Sequence, residues 1–125
     1  MPAKTLILTE KLSFGQKSVL ENILTKSGLY LYQCEIKDIT VPIDFNSYKV
    51  IVTCGQKALK HVGSYDRVGD VRGTFLNVAG VRILPTLDLE TVCNEYRNII
   101  TLISDLTKSQ HGDVSNHVEL ILNPA

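Results

Sequence analysis

The sequence predicts an α/β domain of three layers, α/β/α, around a small, mostly parallel central sheet. Three observations lead there. Short apolar runs of strand length recur near residues 5, 31, 51 and 82, and the first and third read as strands covered on both faces. Amphipathic segments with their own start and stop signals lie between them. Strand-like and helix-like segments alternate rather than cluster, which is the pattern of crossover connections.

Lys4 to Thr9 (KTLILT) is the first strand. Ser13 caps the next helix, and Gln16 completes the S-x-x-Q form of a capping box. Val19, Leu20, Ile23 and Leu24 recur at helical spacing, and Gly28 ends the helix at the C′ position. Leu29 to Ile36 (LYLYQCEI) reads as the second strand. A loop through Pro42 comes next, with Asp44, Asn46 and Ser47 as turn formers. Lys49 to Thr53 is the third strand, Gly55 opens a short helix to Val62, and the Gly- and Asp-rich stretch from Gly63 to Asp70 reads as a loop.

Thr74 to Val78 and Val81 to Leu84 are two strands joined at Ala79-Gly80, or one hairpin leaving the main sheet. A long helix is expected over about Leu89 to Thr107, with Val92, Tyr96, Ile99 and Leu102 to Leu106 on its apolar side. Residues 1–108 form the domain, and 109–125 a tail that begins polar and ends VELILNPA, docked or partner-binding.

The 125 residues suffice for a single core, and 44 % hydrophobic with 21 % charged residues fits a globular protein. A net charge of zero argues against nucleic-acid binding by bulk electrostatics, though not against a local phosphate site or a partner that completes it. Near-zero charge also favours association. The N-terminus has no secretory pattern and no apolar run is long enough to cross a membrane, so an intracellular location, the cytoplasm of the host cell, is expected. Cys34, Cys54 and Cys93 form no even framework and no ligand spacing. Neither a P-loop nor a dinucleotide fingerprint is present. No cofactor and no metal are expected.

Ligands of open α/β sheets gather beyond the carboxyl ends of the parallel strands. Those ends are read as Thr9-Glu10, Gln33 to Ile36, Cys54-Gly55-Gln56 and Thr86-Leu87-Asp88. Glu10 and Asp88 form a carboxylate pair there, or simply cap the helices after them. Gly55-Gln56 presents backbone N–H groups to an anion, or only turns strand into helix. Arg67, Arg72 and Arg82, with Lys57 and Lys60, make a modest basic cluster, suited to phosphate or to a salt-bridged surface. His61, His111 and His117 read as surface residues.

Ile51 to Leu89 resembles the uracil-DNA glycosylase superfamily. The matching pieces are the helix start Gly55-Gln56-Lys57-Ala58-Leu59, then Arg72-Gly73, then the strand end Pro85-Thr86-Leu87-Asp88-Leu89. The chain is most similar to the iron–sulfur type and to the glycosylase-like domains of phage DNA polymerases, over about Thr5 to Thr107. The resemblance implies a glycosylase-like fold and a pocket at Glu10, Gln16, Gln33 and Asp88. It implies DNA contact through Gly55, Gln56, Arg72, Thr86, Leu87 and Leu89, the two leucines acting as wedges or as core anchors. The family's water-positioning carboxylate falls at Gln16, and its histidine at Asp88. An uncharged amide is no general base, and a carboxylate repels a departing anionic base. The family's stacking aromatic and four cluster cysteines have no counterpart. The resemblance therefore implies a vestigial pocket without catalysis. The chain is read as an accessory protein of replication or repair, a phage DNA polymerase subunit for example, that contacts a protein partner and touches DNA weakly. An active glycosylase and a flavodoxin-like small-molecule or nucleotide-binding regulator are the alternatives.

Overall fold

A computed structural model describes residues 4–29, 33–95 and 97–111. It is a three-layer α/β/α domain. The elements run β1 (Thr5–Thr9), α1 (Phe14–Lys26), β2 (Cys34–Asp38), a 3-10 turn (Phe45–Ser47), β3 (Val50–Cys54), α2 (Gln56–His61), α3 (Val68–Val71), β4 (Leu76–Val78), β5 (Val81–Thr86), α4 (Leu89–Asn94) and α5 (Asn98–His111). The five strands lie in the order β2-β1-β3-β5-β4. β2, β1, β3 and β5 are parallel, and β4 closes one side as the antiparallel hairpin partner of β5. The hairpin thus belongs to the main sheet.

Burial explains the layers. Every residue of β1 and β3 is buried. Ile7, Val52, Cys54 and Leu84 face α1, α4 and α5, meeting Leu20, Leu24, Val92, Leu102 and Leu106. Leu6, Leu8, Ile51 and Ile83 face the other way onto Ala58 and Leu59 of α2. A strand covered on both faces has no polar alternation, which is why these two were readable as continuous apolar runs. Thr53 Oγ1 is buried without a hydrogen-bond partner among the described residues, and nothing in the structure accounts for it.

The start of α1 obeys its capping signal. Gln16 N–H donates to Ser13 Oγ at 3.1 Å, and Ser13 N–H to Gln16 Oε1 at 3.0 Å. Gly28 has φ +82°, the left-handed conformation that ends the helix without a Cβ clash. The Ala79-Gly80 turn has φ +53° and +82°, the two left-handed residues of a type I′ hairpin.

Three readings of the sequence are corrected. The second strand is Cys34–Asp38, not Leu29–Ile36. Leu29 instead closes α1, its N–H bonded to Leu24 O at 3.1 Å and its side chain in the core. Residues 30–32 lie outside the described residues. An edge strand is half-covered, so its polar residues Glu35, Lys37 and Asp38 are allowed where the apolar-run criterion excludes them. The Gly63–Asp70 stretch is not all loop, because Val68 and Val71 pack under the α2 layer as α3. The expected single helix from Leu89 breaks at Glu95, which is extended (φ −139°, ψ 112°), and restarts at Asn98. α5 runs to His111, three residues into the stretch read as a docked or partner-binding tail. Tyr96 and the VELIL segment fall outside the described residues.

Among the described residues no helix is long and apolar enough to cross a membrane.

β2 is held at its amino end by a polar cluster. The Tyr48 hydroxyl donates to Glu35 Oε2 at 2.6 Å, with Lys4 and Lys37 Nζ at 3.3 and 3.5 Å from the same carboxylate. The Tyr48 hydrogen bond, then the lysines, hold the Glu35 carboxyl below its ordinary value. A depressed carboxyl pKa contributes stability above the unfolded-state value and loses it as pH falls through the folded value. Tyr48→Phe removes the largest cause. The Glu35 titration midpoint, tracked by NMR of its side-chain carboxyl carbon, is expected to move up toward the ordinary range, and the stability that Glu35 loses on acidification to shrink, because the interval between its unfolded and folded values narrows.

Candidate functional site

Parallel topology brings the carboxyl ends of β1, β3 and β5 together, beside the point where the strand order reverses between β1 and β3. A polar cleft of about 110 Å³ lies there, lined among others by Thr9, Glu10, Leu12, Gln16, Cys54, Asp88 and Glu90. Three of the four residues expected to share a pocket, Glu10, Gln16 and Asp88, therefore do share one. Gln33 does not. The β1–β2 register pairs Thr5 with Cys34 and Thr9 with Asp38, so Gln33 sits at the amino edge of the sheet, opposite the cleft. The carboxyl end of β2 is Asp38, which lines a neighbouring hollow with Thr9, Leu12, Lys17 and Ile36.

Asp88, Glu10 and Gln16 each have an internal partner. Asp88 is the N-cap of α4. Its Oδ2 accepts from Thr91 N–H at 3.1 Å and its Oδ1 from the Thr91 hydroxyl at 2.7 Å. Glu10 lies 3.5 Å from Lys57 Nζ, an ion pair open to water. Gln16 is committed to the cap of α1. Cys54 forms the floor. Burial, then the nearby Asp88 and Asp105 carboxylates, push its thiol up to about 12, which keeps it protonated and unreactive at neutral pH. Cys34 is half-buried and Cys93 exposed, both free thiols. Among the described residues no group of His, Cys, Asp and Glu is placed to hold a metal ion.

Gly55 makes the cleft narrow. Its φ is +99°, and a Cβ there would lie 2.7 Å from Asp88 Cβ and 3.6 Å from Glu10 Oε2. Only glycine lets the two strand ends approach this closely. Its N–H donates to Thr86 O at 3.0 Å, so that N–H is not held out for an anion.

The other residues expected to touch DNA serve the fold. The Gln56 side chain clamps the next loop, Nε2 donating to Asp66 O at 2.7 Å and Oε1 accepting from Val68 N–H at 3.0 Å. Leu89 is buried as a core anchor, and Leu87 is half-buried against the same core. Thr86 is buried and donates its hydroxyl to Asp105 Oδ2 at 2.7 Å. Arg72 Nη1 lies 2.8 Å from both Asp105 oxygens. The basic cluster is likewise divided: Lys57 pairs with Glu10, and Arg82 stacks 4.3 Å over the Phe75 ring. Exposed His61 meets Phe45 edge-on, and His117 lies outside the described residues.

Asp105 was the residue missed. A carboxylate between Leu102 and Leu106 on an apolar helix face is the signal that marks it, because a charge in that stripe needs a buried partner. No protein-family model matches the chain, and no curated protein matches it.

The Arg72–Asp105 pair sets a stability prediction. Asp105 is fully buried, while the Arg72 side chain is 35 % exposed. Removing one partner of a buried pair strands the other charge. Arg72→Ala is expected to cost about 2–4 kcal/mol, the cost for a buried pair discounted because water reaches the guanidinium. Urea unfolding checks it, as a lowered midpoint.

Proposed function

We propose that the chain is a non-catalytic, glycosylase-like accessory module of DNA replication or repair, of the kind found on phage DNA polymerases. It acts through protein contact, with weak and sequence-independent DNA contact.

The observation that carries the non-catalytic part is the engagement of Glu10 and Asp88, two of the three carboxylates that line the cleft. A general base needs a free carboxylate within reach of a water. Asp88 spends both oxygens on Thr91, and Glu10 faces Lys57. Base excision also needs a pocket for an extruded base. The cleft, at about 110 Å³, is well below the roughly 300–1,000 Å³ of cavities that enclose small ligands. The same small volume weighs against the regulator with a small-molecule or nucleotide ligand, the reading favoured only by the cleft's place at the reversal of strand order.

The DNA side of the proposal rests on the resemblance of residues 51–89, a fold-level analogy. The order of the four parallel strands is compatible with it. In a flavodoxin-like sheet the fifth place holds another parallel strand, whereas here it holds the antiparallel β4. A neutral chain suits a module whose DNA affinity is completed by a partner. With Arg72, Gln56 and the Gly55 N–H committed internally, direct contact falls to exposed lysines, and these read phosphate, not sequence.

A uracil-containing oligonucleotide, single- or double-stranded, is expected to yield no abasic sites with this protein. Robust turnover that Glu10→Ala abolishes would replace the proposal with an active glycosylase. Titration of labelled DNA is expected to show weak binding that fades with salt and does not depend on sequence. Affinity capture from the native host is expected to recover a replication or repair protein. Recovery of metabolic enzymes alone would favour the regulator.

A further inference from the structure

We propose that the free edge of β2 is a homodimer interface. Two copies of this chain join β2 to β2, antiparallel, across a two-fold axis at Ile36, and the two five-stranded sheets become one of ten strands. The sheet edge alone carries this, independently of the function proposed above.

β2 is the last strand of its side of the sheet, so its outer edge has no strand against it among the described residues. The other edge, β4, is shorter and tied into a hairpin. An open edge of this length presents unpaired N–H and C=O groups, a template for another strand. Which groups are open is set by the register. Ile39 N–H donates to Thr9 O at 3.0 Å, and Thr9 is paired with Asp38. Alternate residues of a parallel strand face a given neighbour. Glu35, Lys37 and Ile39 therefore face β1, and Cys34, Ile36 and Asp38 face outward. At Asp38 the carbonyl already accepts Val41 N–H at 3.4 Å, which leaves its N–H as the outward group.

The charge pattern then selects the occupant and the register. The strand reads Cys34-Glu35-Ile36-Lys37-Asp38. With the axis at Ile36, the two Ile36 residues exchange both backbone hydrogen bonds, and Cys34 C=O meets the second copy's Asp38 N–H. Glu35 falls opposite the second copy's Lys37, and Lys37 opposite its Glu35. These are non-hydrogen-bonded positions, where facing side chains come closest. Moving the axis to Glu35 sets Glu35 against Glu35, and moving it to Lys37 sets Lys37 against Lys37. Only one register pairs opposite charges, and it is self-complementary, as a two-fold interface requires.

The side chains are prepared for it. Glu35 is already held by Tyr48 and Lys4, so the pairs across the interface need little further ordering. On the opposite face Cys34 and Ile36 are half-buried and line shallow hollows beside α1 that a second strand would cover. Because the strands run antiparallel, the clefts at Glu10 and Asp88 open toward opposite sides of the dimer.

Sedimentation equilibrium of the full chain over a concentration series tests this, with Lys37→Glu, Glu35→Lys and an equimolar mixture of the two. Wild type is expected to pass from monomer to dimer mass. Each variant alone places like charges at both facing positions and is expected to raise the dissociation constant about tenfold or more. In the mixture every facing pair is again opposite, and the dimer returns. Ile36→Pro is the second line of test if loss of the Tyr48 acceptor unfolds the Glu35 variant. It removes an outward N–H that the chain's own sheet does not use, and so is expected to block the dimer while leaving the β1 pairing. A wild type that stays monomeric throughout overturns the proposal, and so does a Lys37→Glu variant that dimerises like wild type. Amides of Cys34 and Ile36 protected from exchange equally at every concentration would also overturn it, since another segment of the same chain would then cover the edge.

Discussion

The buried carboxylate of Asp105 is the constraint on which the carboxyl side of the sheet depends. An ionised group without solvent is prohibitively costly unless every oxygen finds a donor. Asp105 is fully buried and takes its donors from Arg72 and Thr86. The three residues come from α5, from the turn after α3 and from the end of β5. Once the carboxylate is satisfied, those three elements have one relative position. Gly73 obeys the same constraint: a Cβ there would lie 2.8 Å from Asp105 Oδ1. Its N–H and C=O are used in turn by Pro85 O and Lys108 Nζ. Arg72-Gly73 is thus an internal bracket.

The cleft inherits its shape from that bracket. Thr86 binds Asp105 through its hydroxyl and Gly55 through its carbonyl. It therefore fixes the gap between the ends of β3 and β5, and Asp88 stands two residues further on. Glycine at 55 lets the gap close, and closing it leaves a polar cleft with a protonated thiol as its floor. The capping bonds hold Asp88 and Gln16 in place, and they use hydrogen-bonding capacity that a ligand would otherwise meet.

What the sequence made legible was local or fully buried. Ser13 with Gln16, Gly28 and Ala79-Gly80 act through neighbours within a few residues, so their chemistry is written in consecutive letters. β1 and β3 are covered on both faces, and continuous apolar runs result from that. The convergence of Glu10, Gln16 and Asp88 was legible too, because parallel strands leave their carboxyl ends on one edge. Their state was not. Whether Asp88 is a free carboxylate or a cap depends on Thr91 adopting the first turn of α4. Arg72 read as a phosphate ligand because its partner lies 33 residues away on a helix whose stripe was taken to be apolar throughout. Gln33 was misplaced for a simpler reason: the apolar run was ended at Ile36, and the strand begins at Cys34.

That shift of β2 has a physical meaning. Interior strands gain from two covered faces and two hydrogen-bonded neighbours, whereas β2 is half-buried along its whole length and has one neighbour among the described residues. Its register is therefore set less by burial than by polar contacts, chiefly Glu35 with Tyr48 and Asp38 with Thr40. Charged residues on an edge ordinarily discourage other strands. In the proposed pairing, Glu35 and Lys37, of opposite sign and placed symmetrically about Ile36, favour a strand that carries the same pattern running antiparallel. Polar letters that obscure a strand in a one-dimensional reading are, in three dimensions, a rule for what that strand accepts.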